Sequence, residues 1–209
     1  MSNVDRGTIL TKSQVNNVKR LCQLRMSRMP VQYVVGEWDF HDLTLEMRQP
    51  VLIPRPETEE LASLCMDTLS ALLTTTERKT FLEIGPVLEQ LQKLGPFCLA
   101  VSNPPYISTS EMDSLQEEVR CFEDHQALYG GKDGMDIIRE VMLKTSQLLQ
   151  PGGHLWLEVG VAHSSLVESF ASDPKTWKDL PQQVQFLETA TDLYGKLRFC
   201  HLIVSSGTS

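Results

Sequence analysis

The chain has 209 residues and a mass of 23.6 kDa, with 41% apolar and 22% charged residues, which suffices for a sizeable core and excludes a disordered composition. No apolar run approaches the ~18 residues of a membrane-spanning helix, and the start lacks the basic, apolar, small-residue order of a secretory signal, so a soluble intracellular protein is expected. The net charge of −8 is uneven: residues 1 to 28 hold six Lys/Arg against one Asp, or +5, leaving −13 for the remainder. Such an acidic body disfavours nucleic acid as a partner. Cys22, Cys65, Cys98, Cys121 and Cys200 are scattered, odd in number and free of any C-x-x-C pair, as expected of buried or idle thiols in a reducing compartment. His41, His125, His154, His163 and His201 show neither H-E-x-x-H nor i, i+4 spacing, and no metal site is expected.

In chain order, Thr11 to Met26 carries Val15, Val18, Leu21 and Leu24 at helical spacing, with Thr11 or Ser13 as N-cap. An amphipathic helix and an organelle-targeting peptide both fit its scarcity of acids. After Pro30, VQYVVGEWDFHDLTLEM is rich in β-branched and aromatic residues around Gly36 and predicts two strands in a hairpin or bent ribbon, with Trp38 and Phe40 packing it. The prolines of VLIPRPETEEL fix an extended segment, from which Thr58, Glu59 and Glu60 open a helix to about Leu73. FLEIG (81 to 85) and CLAVS (98 to 102) read as short buried strands with VLEQLQKL as a helix between them. Residues 107 to 134 predict a loop with one short helix, and Gly130-Gly131 there serves backbone geometry. Ile137 to Leu149 reads as a helix, Pro151-Gly152-Gly153 as a turn, and HLWLEVG as a strand. Leu166 to Phe170 is a further helix, and QFLETATDLYGKLRFCHLIV closes with a pair of strands. Alternating strands and helices predict an α/β fold with a mainly parallel sheet.

Asn103-Pro104-Pro105-Tyr106 directly follows the CLAVS strand. Parallel sheets bind ligands beyond the carboxyl ends of their strands, so the motif falls where chemistry is done. A planar amide or exocyclic amine is a poor nucleophile because its nitrogen lone pair is delocalised, and an enzyme that methylates one must hold and polarise its N–H groups. Asn103 offers its side-chain carbonyl to one N–H, and the Pro104 carbonyl takes the other. Both prolines restrict φ and keep these acceptors in place, while Tyr106 supplies a flat, electron-rich face. A rigid Pro-Pro turn is the structural alternative.

NPPY, together with IPRPETEEL, GEWDF, GGKDGMDII and PGGHLWLEVG, resembles the HemK/PrmC group of protein-glutamine N5-methyltransferases, which modify the GGQ loop of peptide chain release factors. The resemblance runs from about Leu10 to Val204. NPPY alone is shared with adenine-N6 methyltransferases of nucleic acids; the PRPETE and GEWDF segments favour the protein-glutamine branch. The resemblance implies a Rossmann-like S-adenosylmethionine (SAM) domain over 56–209. A β-hairpin linker over 31–55 and a remnant of a helical substrate-binding domain over 1–30 would precede it. It further implies Asn103, Pro104 and Tyr106 as catalytic, these three with Pro105 as substrate-binding, and Glu83, Gly85, Asn103, Arg55 and Glu57 as donor-binding. A surface ion pair is the alternative for Arg55 and Glu57. Glu158, in LEVG, is either a ligand-facing or a solvated strand-end acid. The implied partner is a release factor met by a monomer, in the mitochondrion or alternatively the cytoplasm.

The resemblance breaks at the donor loop. Complete members continue their first strand into E-x-G-x-G-x-G, a helix and a second strand ending in an acid that holds the donor's ribose. Here the match stops at Glu83-Ile84-Gly85-Pro86, and Asn103 follows 18 positions after Gly85. Two further parallel crossovers cannot fit in that interval, since each needs about a dozen residues. An internal block is therefore expected to be missing between Pro86 and Val87, as alternative splicing would remove it. The first and fourth strands of the sheet would then be neighbours, joined through a helix from Val87 to Leu94, with part of the sheet absent and FLEIG as an exposed apolar edge. SAM binding is expected to be weakened or lost, which keeps open a non-catalytic binding module that retains the substrate loop.

Overall fold

The structure is a computed structural model that describes residues 9–72, 80–83 and 95–206. In chain order the elements are α1 (Lys12–Met26), α2 (Val31–Val35), β1 (Glu37–Phe40), β2 (Leu43–Glu46), α3 (Pro56–Leu72), β3 (Phe81–Glu83) and β4 (Phe97–Ser102). They continue with α4 (Thr109–Met112), α5 (Glu117–Phe122), a 3-10 turn at His125–Ala127, α6 (Asp136–Leu148), β5 (Leu149–Glu158), α7 (Ser164–Ser172), α8 (Pro174–Trp177), β6 (Gln182–Thr191) and β7 (Leu197–Ser206). The chain divides into two compact units, one of residues up to Ile53 with Leu115–Asp124, the other of Pro54–Ser114 with His125 onward.

In the smaller unit, Thr11 caps α1 as expected. Its hydroxyl accepts from the Gln14 N–H at 3.3 Å, and the Gln14 side chain accepts from the Thr11 N–H at 2.8 Å. VQYVV departs from expectation, forming helix α2 instead of a strand. Pro30 precedes its first turn, and Gly36 closes it at φ +87°, donating its N–H to the Gln32 carbonyl at 2.8 Å. The left-handed Gly36 cap, together with Pro30 ahead of the first turn, outweighs the β preference of the valines. The hairpin itself follows from Glu37, with Trp38 opposite Leu45 and Phe40 opposite Leu43. Helix α5 belongs to this unit: Arg28 pairs with Glu118 at 3.1 Å, and the buried Glu123 accepts from the Ile53 N–H at 3.2 Å. The single short helix expected within 107 to 134 is in fact α4, α5 and the 3-10 turn, each too brief to register as a periodic pattern.

The larger unit is a Rossmann-like α/β layer structure. Its five-stranded sheet has the order β3-β4-β5-β7-β6, with β3, β4 and β5 parallel and the closing β6–β7 pair antiparallel. The expected adjacency of the FLEIG and CLAVS strands is observed: Phe81, Leu82 and Glu83 pair with Leu99, Ala100 and Val101, and among the described residues β3 forms the sheet's edge. The proposed junction at Pro86 and the helix from Val87 to Leu94 lie outside the described residues. The turn expected at Pro151-Gly153 is absorbed into β5 as an irregularity, because Phe97 pairs with Leu149 but Leu99 with His154, and Gly152 takes φ +80° to accommodate the excess chain.

Alternation along the strands sends side chains to two cores. Ala100, Leu155 and Leu157 face Ile138 and Met142 of α6 and Val167 of α7, whereas Leu99, Trp156 and Phe199 face Leu61 and Cys65 of α3. Cys65, Cys98 and Cys200 are buried, and Cys22 and Cys121 are exposed. Among the described residues no helix is long and apolar enough to cross a membrane.

Candidate active site

Strand β4 stops at Ser102 because neither Pro104 nor Pro105 can donate to a ladder, and the residue before a proline is held extended. Asn103 therefore emerges at the carboxyl edge of the parallel strands, where Glu158 also ends β5 and the first turn of α3 carries Thr58. The three side chains form a chain of hydrogen bonds: Asn103 Nδ2 donates to Thr58 Oγ1 at 3.0 Å, and Thr58 Oγ1 donates to Glu158 Oε2 at 2.7 Å. Tyr106 donates its hydroxyl to Glu158 Oε1 at 3.4 Å, so both carboxylate oxygens have partners. Glu158 is 1% exposed. Burial raises its pKa above the usual carboxylate value, and the Glu57 charge adds to this, whereas the Thr58 hydroxyl, the Arg198 charge and the Tyr106 hydroxyl oppose it. The Tyr106 phenol is pushed up to about 12, first by its own burial and then by the neighbouring Glu158 charge.

The GGKDGMD segment holds the NPPY loop from behind. Ile107 donates its N–H to the Leu128 carbonyl, and Gly130 donates to the Ile107 carbonyl, both at 2.9 Å. A Cβ on Gly130 would lie 2.7 Å from both the Pro105 carbonyl oxygen and Tyr106 Cα, so only glycine allows this approach. Gly134, at φ +75°, is pressed as closely against the Tyr106 carbonyl and the His163 ring. His163 is buried; its Nε2 reaches the Asp133 carbonyl at 3.1 Å, and its ring lies 6.2 Å from that of Tyr106.

The structure thus joins Asn103 and Tyr106 of the motif through Glu158. Pro104 is buried and Pro105 half-buried between them. Glu57 lies close enough to act electrostatically on both Glu158 and Tyr106. Arg55 is half-buried, and its carbonyl accepts from the Thr58 N–H at 3.0 Å, opening α3. Glu83 is exposed at the end of β3, and Gly85 lies outside the described residues. Sequence reasoning missed Thr58 as part of the site, reading it only as a helix opener, and missed His163. The signal for Thr58 is its polar side chain at the start of a helix packed on the carboxyl edge of the sheet.

An α/β sheet with an Asn-Pro-Pro-Tyr loop at its carboxyl edge is the arrangement that the sequence resemblance leads one to expect of a methyltransferase. No protein-family model matches the chain. It is 32% identical over 251 residues to the MTRF1L release factor glutamine methyltransferase of Homo sapiens, covering 92% of this chain and 72% of that protein. It is also 26% identical over 208 residues to the release factor glutamine methyltransferase of Thermodesulfovibrio yellowstonii, covering 78% of this chain and 75% of that protein. The enzyme of that name from Thermosynechococcus vestitus is 30% identical over 220 residues, covering 82% of this chain and 73% of its own length. The chain belongs to the release factor glutamine methyltransferase family. The human alignment, at 251 positions, is longer than this 209-residue chain, so stretches of that relative have no counterpart here.

Gly130→Ala is expected to destabilise the fold by about 1 to 3 kcal/mol in urea unfolding, because the new methyl displaces backbone atoms of the NPPY loop. Tyr106 is expected to ionise near pH 12 by ultraviolet difference absorption, and Tyr106→Phe removes that step. Since folding raises this pKa above its usual value near 10, the associated stability is present below pH 10 and is lost as pH rises towards 12.

Proposed function

We propose that this site is built for SAM-dependent N5-methylation of the glutamine in the GGQ loop of a peptide chain release factor, and that this chain keeps the acceptor half of the site with a curtailed donor half. The observation that carries the reading is Asn103, half-buried at the strand end and tied inward through its Nδ2. Its Oδ1 is available to take one N–H of the glutamine amide, and the Pro104 carbonyl takes the other. Polarising both N–H bonds enriches the amide nitrogen, and the two prolines hold the acceptors at fixed spacing so that little entropy is lost when the amide docks. Tyr106 offers the flat face against which the carboxamide lies. SAM, when bound, supplies an electrophilic sulfonium methyl.

The residues present fit the donor poorly. Only residues 84 to 96 separate β3 from β4, too few for the two crossovers that carry the remaining glycines and the ribose-binding acid in complete members. The long human alignment supports a missing internal block, which we assign to the Pro86–Val87 junction. Loss of the ribose carboxylate alone costs about 1.5 to 3 kcal/mol, or about ten- to hundredfold in affinity.

Calorimetry of this chain with SAM, alongside the human relative, is expected to show affinity weaker by about that factor; micromolar binding would refute the curtailed donor half. With labelled SAM and a GGQ-containing release factor, the expected outcome is release-factor binding with label on that protein only at high SAM. Failure of the release factor to bind, or label on DNA, would overturn the acceptor assignment. The compartment that we propose is the mitochondrion, with the cytoplasm as the alternative, on the strength of the acid-free basic helix bearing Lys12, Lys19, Arg20 and Arg25. Subcellular fractionation with immunodetection checks it, and a purely cytosolic signal would exclude it.

A further inference from the structure

We infer that Thr58 and Glu158 are positioning residues that lock the side-chain amide of Asn103 in a single orientation, with Nδ2 turned inward and Oδ1 left to face the acceptor. The inference deepens the functional reading above and rests on it for what Oδ1 meets. An asparagine amide is nearly symmetric in shape, so packing alone does not choose between its two flipped states; the choice has to come from hydrogen-bond direction.

That direction is set from the sheet. A Glu158 carboxylate only accepts, and its Oε2 takes the single hydroxyl proton of Thr58 at 2.7 Å. The Thr58 oxygen is left as an acceptor and meets Asn103 Nδ2 at 3.0 Å. In the flipped state Asn103 Oδ1 would face an oxygen with no proton to offer, two acceptors in contact. The other carboxylate oxygen is held by Tyr106, from the same NPPY loop. One buried acid therefore sets the orientation of the amide, and Thr58 passes it on. Threonine and serine can fill this role, while valine, of the same shape, cannot.

The test is made on the whole chain, labelled with 15N at asparagine. The sequence has four asparagines, Asn3, Asn16, Asn17 and Asn103, so the four side-chain NH2 pairs are readily resolved and Asn103→Gln assigns the one of interest. Asn103 is expected to show a slowly exchanging, strongly inequivalent pair. Thr58→Val should collapse it to the exposed-asparagine pattern, and Thr58→Ser should keep it. Affinity for a GGQ-containing release-factor domain is expected to fall about tenfold in Thr58→Val and to be retained in Thr58→Ser, as the loss of one oriented hydrogen bond implies. An Asn103 pair that Thr58→Val leaves unchanged overturns the lock. A changed pair with unchanged affinity overturns the positioning role. If the unmodified chain does not bind the release factor, the functional reading fails on its own, and the amide spectrum still upholds or overturns the lock. Thermal melts of both variants separate these effects from unfolding.

Discussion

A carboxylate taken out of water must be met by hydrogen-bond donors or positive charge, and Glu158 sits almost fully buried at the end of β5. The donors that meet it come from different parts of the chain: Thr58 from α3, Tyr106 from the loop after β4, with the Arg198 charge of β7 nearby. Satisfying this one acid fixes where the first turn of α3 sits over the sheet and how the NPPY loop leaves its strand. Asn103 enters the same chain of bonds through Thr58, so the residue proposed to meet the substrate is tied to a buried acid. Under the proposed function stability and chemistry share these contacts, so a change that frees Glu158 is felt at Asn103.

The glycines of the neighbouring segments have a related reason. Gly130 and Gly134 lie against backbone atoms of Pro105 and Tyr106, and a Cβ on Gly160 would meet the His163 ring, itself packed beside Tyr106. The NPPY loop is pressed between the GGKDGMD segment and the turn after β5. Prolines stiffen it from within and glycines let its neighbours close on it from outside. A loop so confined presents its acceptors with little conformational freedom to lose, which is what orienting a weak nucleophile demands.

The parts of this arrangement that depend on adjacent residues were legible in the sequence. An apolar run ending in Asn-Pro-Pro places a strand and its end within a few residues, and the spacing between Gly85 and Asn103 leaves room for one connection, which makes β3 and β4 neighbours. What depended on contacts between distant residues was not legible. Thr58 lies 45 positions before Asn103 and 100 before Glu158, and nothing local to PETEEL marks its hydroxyl as shared between the two. Glu158 reads in the sequence as either a ligand-facing or a solvated strand-end acid, and its burial is not legible there because the covering elements are remote in sequence. VQYVV differs for the opposite reason: its local β preference is plain, but the left-handed cap at Gly36, with Pro30 ahead of the first turn, overrides it.

The dependence on Glu158 also bears on the proposed division into an acceptor half and a curtailed donor half. Asn103, Thr58, Tyr106 and Glu158 draw on α3, β4 and its loop, and β5, with Arg198 contributed by β7. None of these bonds involves β3. The acceptor half is built on the interior of the sheet, where β4 is paired on both sides and β5 lies between β4 and β7. The bonds that orient Asn103 therefore do not depend on the segment in which the curtailed donor half is proposed to lie. The proposed acceptor half thus rests on contacts of its own, and its geometry does not require the proposed donor half to be whole.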